Sequence, residues 1–385
     1  DGLSQFSVNS MYIDERGIIW IGTREGLNRY NGNDIKSFKL KKNDPNSLFS
    51  NTVLRITGNK KGKVYLLCTD GIAEFDLTTQ RFKTLLQGNV DAIYYNEKLY
   101  IGKREEVFVY NESTGNFDLY YHLAGKDITL SCLHLDDKKN LWMGTTGNGV
   151  YCLSENKTVS QPITKGNITS IYEDSSKELW IGSWEEGLYH ITTDGNIKNL
   201  RHDPQNPNSL CSDFVRSCCE DNAGNLWIGT FYGLNRYDKS SGQFQVYTAD
   251  DSRPDGLTHS SIWCIVKDGQ GTIWLGTYFG GVNYFNPEYE IYTRYKVGNT
   301  EKEGLSSPIV GRMTEDKDGN LWICTEGGGV NVYNRKSNTY RWYRHEEGEN
   351  SISHNNVKAI YYDRNNDIMW IGTHLGRSEE HTSEL

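Results

Sequence analysis

The residues best equipped for chemistry are numerous and unpatterned. Eight Cys (Cys68, Cys132, Cys152, Cys211, Cys218, Cys219, Cys264 and Cys324) form no C-x-x-C pair, and the nine His form no H-E-x-x-H, so no zinc centre is spelled out. A G-x-S-x-G nucleophile turn and a phosphate-cradling glycine loop are absent too; Gly327-Gly328-Gly329 falls in a hairpin turn. Glycoside hydrolysis needs two carboxylates about 5–9.5 Å apart. With 50 Asp and Glu some pair always meets that distance, so it carries no weight. Asp316-Lys317-Asp318-Gly319-Asn320 opens like a calcium loop but lacks its later ligands and distal Glu, so a hairpin turn is expected there. No catalytic residue, metal or cofactor is expected. What does recur is a set of short segments where aromatics sit beside Arg and Glu: Arg24-Glu25, Arg104, Trp184-Glu185, Phe231-Tyr232 and Tyr278-Phe279. Flat apolar faces suit the C–H side of a sugar ring, and fixed polar groups suit its hydroxyls. Trp184, Tyr232, Tyr278 and Phe279 are the candidate stacking platforms; Arg24, Arg104 and Glu185 are the candidate polar contacts.

These segments follow a repeating string, Leu-Trp-Ile-Gly-Thr or a variant. Its aromatic falls at Trp20, Tyr65, Tyr100, Trp142, Trp180, Trp227, Trp274, Trp322 and Trp370, at intervals of 35 to 48 residues. Residues 214–247 show the unit: apolar Phe214–Cys219, a turn ending at Asn225, Leu226–Thr230, a short turn to Gly233, Leu234–Tyr237, then Phe244–Tyr247. Four short strands per copy, bounded by Gly, Asp, Asn and Ser, predict an all-β propeller of four-stranded antiparallel blades in nine repeats. The strands of a blade are termed a to d. Stacked twisted blades leave wedges that large aromatics fill, which accounts for most of the 12% aromatic content. The Asp-x-x-Gly-x-x-Trp turns at Asp14, Asp221, Asp268 and Asp316 give an acceptor for turn amides and a glycine for positive φ. In such a fold the b–c turns and the d-to-a crossings share one face around the axis, which places the candidate residues together.

Copies 2 and 3 are eroded: Tyr65 and Tyr100 replace Trp, and Glu106 stands where the turn Gly is expected. The cysteines, mostly in predicted strands, are expected to be buried as small apolar groups, with a disulfide involving Cys211, Cys218 or Cys219 open in an oxidising compartment. The net charge of −9 excludes nucleic-acid binding driven by net charge, and no run of about 18 apolar residues spans a membrane.

The unit Glu-Asp-x-x-Gly-Asn-Leu-Trp-Ile-Gly-Thr-x-x-Gly-Leu-x-x-Tyr, carried most fully by Glu220–Tyr237 and Glu315–Tyr333, resembles the two-component regulator propeller repeat. The opening Asp1-Gly2-Leu3-Ser4 and Trp20–Gly32 look like the first repeat of the sensor half of Bacteroidetes hybrid two-component systems. The resemblance implies a periplasmic sensor of oligosaccharides, non-catalytic in itself. It would be joined through a membrane helix to a histidine kinase and phosphorelay outside this chain, with homodimerisation through that missing region and no nucleic-acid contact here. It places a first propeller at residues 1–296 (repeats 1–7) and the first two repeats of a second at 297–376; a single ring of eight or nine blades also fits the spacing. The chain begins at Asp1 rather than Met, so a fragment is expected, with a closing strand upstream. Arg377–Leu385 resembles, in all nine codons, the translation of a common sequencing adapter and is expected to be foreign. A propeller lyase or glycosidase, and a protein-interaction scaffold, are the alternative readings.

Overall fold

The computed structural model describes residues 2–124, 127–249, 256–289, 297–298, 300–301, 304–337 and 339–374. The tail Arg377–Leu385 and the expected boundary at residue 296 lie outside the described residues. Every described element is a β-strand apart from one 3-10 turn at Pro287–Tyr289.

The sixth repeat shows why these residues fold as they do. Val215–Glu220, Leu226–Thr230, Leu234–Asp238 and Gln243–Tyr247 pair antiparallel in chain order. The b strand is buried throughout, whereas the outer d strand is mostly exposed. Asp221 Oδ1 accepts the backbone N–H groups of Ala223 at 3.0 Å and Asn225 at 2.8 Å, which shapes the a–b turn. Its Oδ2 accepts the indole N–H of Trp227 at 2.9 Å. The same bond, across six residues and at 2.8–3.0 Å, joins Asp14 to Trp20, Asp136 to Trp142, Asp174 to Trp180, Asp268 to Trp274 and Asp316 to Trp322. One carboxylate thus fixes a turn and satisfies the single donor of the buried wedge aromatic. In the eroded second copy Asn59 replaces the Asp and Tyr65 the Trp; Tyr65 stays fully buried but its hydroxyl has no partner.

The Trp wedges lie between blades. Trp20 packs with Val53, Ile56 and Phe75 of the second copy, and Trp227 lies 4.7 Å from Phe285 of the seventh. The a strands from Val8–Ile13 to Ile262–Lys267 each pack on the next, and the seventh packs on the first, closing a ring of seven sheets. Val8, Met11, Ile19 and Ile21 meet Cys264, Val266 and Trp274 at that closure.

The chain divides into two compact units, residues 1–289 and 290–385. The second contains a four-stranded sheet over Val310–Tyr343 and a two-stranded sheet of Val357–Asp363 and Ile368–Thr373.

The expected four-stranded antiparallel blades are found, with local departures. Not every blade has four described strands. The fourth has three, because Pro162 interrupts the outer edge and leaves an isolated Leu153–Val159 bridge with a Ser160 N–H to Cys152 carbonyl bond of 2.9 Å. The seventh sheet also has three described strands. All eight cysteines are free, and five of them, Cys68, Cys132, Cys218, Cys219 and Cys324, are buried, in line with the expected burial. Burial pushes the Cys219 thiol up to about 12 and the Cys218 thiol up as well, so both behave as apolar groups.

Candidate functional site

The b–c turns are built by a second repeated device. In the fifth to seventh blades the Thr or Ser near the end of the b strand donates its hydroxyl to the carbonyl of the Gly that reopens the chain: Ser183 to Gly187 at 2.9 Å, Thr230 to Gly233 at 2.8 Å and Thr277 to Gly281 at 2.9 Å. These three hydroxyl residues are buried. Gly187 has φ +75, and a Cβ there would come within 2.3 Å of the Leu200 carbonyl oxygen. The crossings are tied to the same blades by strand-c Asn. Asn235 Oδ1 accepts the Cys211 N–H at 2.8 Å, and Asn283 Oδ1 accepts that of Thr258 at 3.0 Å. The turn residues therefore project from a fixed frame.

Three successive turns converge into one array. Trp184 meets Phe231 edge-on at 5.8 Å and Phe214 at 4.8 Å. Phe231 meets Tyr232 at 4.9 Å, and Tyr232 lies 6.2 Å from Phe214. In the seventh blade Tyr278 lies 4.1 Å from Phe279 and stacks on Trp263 at 5.1 Å. Tyr232 and Phe279 are 58% and 57% exposed, so each offers a ring face to solvent. Trp184, Phe231 and Tyr278 are half-buried, with part of their surface used in packing.

Arg216 joins the two halves. Its guanidinium lies 4.5 Å from the ring centroids of both Trp184 and Trp263, within cation–π range. Arg216 and Trp263 were not among the sequence candidates. They occupy the bulge position of their a strands, where the register shifts between Val215 and Ser217 and between Ile262 and Cys264. In the first, fourth and fifth blades that position holds a small polar residue that bonds the next blade's carbonyl: Asn9 to Val53 at 2.8 Å, Ser131 to Ile168 at 2.6 Å, and Thr169 to Val215 at 2.7 Å; the second blade has Leu54 there, and the third has no bulge. A comparison of a-strand copies at this one position is the signal that would have found them.

The remaining candidates stand apart. Arg24 and Glu25 lie exposed on the first turn, where Glu25 Oε2 is 3.8 Å from Lys39 Nζ. Arg104 lies exposed on the third turn with φ +51; the left-handed residue has moved there because Glu106 fills the glycine position. Glu185 is exposed with φ +84, and its carbonyl accepts Arg201 Nη2 at 2.9 Å. Contacts of Arg24, Glu25 and Arg104 with the aromatic array are absent among the described residues. Two clefts of about 570 and 440 Å³ open elsewhere, beside Tyr95 and Glu112 and beside Asp136 and Lys177. The carboxylates of the latter are engaged: Asp136 holds Trp142, and Glu173 Oε2 lies 3.3 Å from His134 Nε2.

Six segments match the two component regulator propeller repeat, at residues 2–25, 162–185, 209–232, 256–279, 304–327 and 351–374, so the chain carries this repeat in both of its units. Four of these segments end on Glu25, Glu185, Tyr232 and Phe279. The copies centred on Tyr65, Tyr100 and Trp142 fall outside them. No curated protein matches the chain. Among solved structures it is similar to an extracellular domain described as part of a hybrid two component system of B. thetaiotaomicron, at 22% identity over 97% of this chain, with a TM-score of 0.41. The chain spans 63% of that domain's length. It is also similar to virginiamycin B lyase from Staphylococcus aureus (14% identity, 73% of this chain, 95% of that one, TM-score 0.58). The WD40 β-propeller domain of Doa1 compares likewise (14% identity, 76% and 97% covered, TM-score 0.57). The latter two likenesses establish the propeller fold.

Proposed function

We propose that the chain is the ligand-sensing part of an extracytoplasmic receptor, which binds an oligosaccharide on the b–c turn face and reports it to a histidine kinase outside this chain. The observation that carries the reading is the aromatic array of the fifth to seventh blades, with Tyr232 and Phe279 open to solvent on a hydrogen-bonded frame. Flat rings beside fixed polar groups are what sugar recognition requires. The two component regulator repeats support the signalling half of the reading. In this reading the repeats after residue 296 begin a second propeller, the chain lies in the periplasm, and output passes through a homodimer and a membrane helix beyond these residues. The ligand must bind two arrangements of the receptor with different affinity, since equal affinity would shift nothing.

The test is calorimetry of the 385-residue chain against a panel of neutral and acidic oligosaccharides. Binding of at least one is expected, weakened about tenfold or more when Tyr232 and Phe279 are both changed to Ala, a loss on the order of 1.4 kcal/mol. Their exposure should leave the melting temperature nearly unchanged. Trp184→Ala with Tyr278→Ala should weaken binding also, at some cost in stability, because both rings pack on neighbours. No heat with any glycan refutes the reading, and release of cleaved product would replace it with an enzymatic one.

A further inference from the structure

The charge around Arg216 narrows the ligand class within the sugar-binding reading, on which this inference rests. The chain carries more acidic than basic residues, with a net charge of −9. Three other arginines of the ring pair with carboxylates: Arg16 with Asp14 at 2.8 Å, Arg29 with Asp34 at 3.8 Å and Arg201 with Asp213 at 2.7 Å. Among the described residues no carboxylate pairs with Arg216; its Nε is buried without a hydrogen-bond partner, as are those of Arg29 and Arg236. A second guanidinium approaches it instead. Arg55, on the a strand of the second blade, reaches across the ring so that its Nη2 lies 3.3 Å from the Thr169 carbonyl of the fifth. Thr169 in turn bonds the Val215 carbonyl, next to Arg216. Burial first, and the like charge of Arg55 second, depress the Arg216 pKa.

The indole N–H of Trp263, whose ring lies 4.5 Å from the Arg216 guanidinium, also lacks a partner. Buried donors without acceptors are costly, and two like charges without a counter-ion are costlier still. A single group relieves both: an anion with several acceptor lone pairs. A guanidinium presents its N–H groups in a planar fork that matches a carboxylate bidentately. The exposed faces of Tyr232 and Phe279 beside it suit the flat side of a sugar ring.

We propose that the axial end of this face is a carboxylate site, and that its ligand is an acidic oligosaccharide containing a uronate. Arg216 and Arg55 hold the uronate carboxylate, and the neighbouring rings take the apolar face of its sugar.

The experiment is calorimetry of the 385-residue chain with tetragalacturonate, its methyl ester and neutral cellotetraose, at two salt concentrations. The uronate should bind, and more weakly at high salt. The ester, which keeps the ring and removes the charge, should bind at least tenfold more weakly. Arg55→Gln changes an exposed side chain, so it should fold as before and still weaken uronate binding several-fold. Arg216→Lys keeps the charge but loses the fork and should weaken it further. Trp emission should shift on uronate binding, because Trp184 and Trp263 flank the guanidinium. If cellotetraose or the ester binds as tightly as the acid and Arg55→Gln changes nothing, the carboxylate site is overturned while the sugar reading stands. If none of the three binds, this inference falls; if the wider panel is also silent, the sugar reading falls with it.

Discussion

Replacing Asp221 with Ala tests the claim that one carboxylate fixes both turn and wedge. Asp221 is 4% exposed and accepts four kinds of donor: the Ala223 and Asn225 backbone N–H groups, the Asn225 side-chain amide and the Trp227 indole N–H. Ala223 is exposed, so its N–H can turn to water. Asn225 and Trp227 are buried, at 8% and 2% exposure, so three donors lose their acceptor. At about 1–3 kcal/mol for each buried unsatisfied group, and with some water entering at the turn, the loss should be about 3–5 kcal/mol. Urea denaturation followed by Trp fluorescence measures it. A double-mutant cycle with Trp227→Phe isolates the indole bond. Phenylalanine keeps most of the wedge but has no N–H, so its cost should fall by about 1–2 kcal/mol in the Asp221→Ala background. A loss below about 1 kcal/mol for Asp221→Ala, or no coupling in the cycle, would refute the argument.

Three further outcomes follow from the same frame. Lys139 sits at φ +61 in the place where other copies have glycine, so Lys139→Gly should stabilise by about 0.5–1 kcal/mol, and a loss in the denaturation midpoint would contradict the strain assigned to it. Burial raises Asp174, but bonds from Lys239 at 2.7 Å and Trp180 at 2.9 Å outweigh it and hold its carboxyl below the ordinary range; Glu220, bonded to the same Lys239, is lowered likewise. Their contribution is complete above the unfolded values near about pH 4 and is lost as pH falls through the folded ones, so Asp174→Asn should flatten the acid limb of stability below about pH 4.5, and an unchanged limb in urea midpoints from pH 7 to 3 would count against it. Trp227→Ala empties a wedge that is 2% exposed and should cost about 3–5 kcal/mol, against a change within experimental error if the ring were a surface group.

The repeat was legible because its physics is local. Asp-x-x-Gly-x-x-Trp specifies a turn, a strand and a wedge within seven residues, and six copies keep the bond. Two of those six, at Asp136 and Asp174, lack the glycine, with Lys139 and Lys177 taking its left-handed conformation. The missing outer strand of the fourth blade was less legible. Four copies of a pattern invite a fifth, and only Pro162 argued against it.

The site was legible in part, for a geometric reason. Placing the variable residues at the b–c turns identifies Trp184, Phe231, Tyr232, Tyr278 and Phe279, which the fold does bring together. The same rule treats every turn alike, and so gave Arg24, Glu25 and Arg104 equal standing although they share no contact with the array among the described residues. What separates the turns is the residue beneath them, at the a-strand bulge. There the ring closes on itself through Asn9, Ser131 and Thr169, each bonding the next blade's carbonyl. Arg216 and Trp263 are too large to make that short bond; their side chains rise into the turn layer and stack with its aromatics. A position that serves closure in three blades thus joins the turn layer in two adjacent ones. That substitution is visible only when copies are compared by their place in the ring, because the sequence around each one is an ordinary apolar strand.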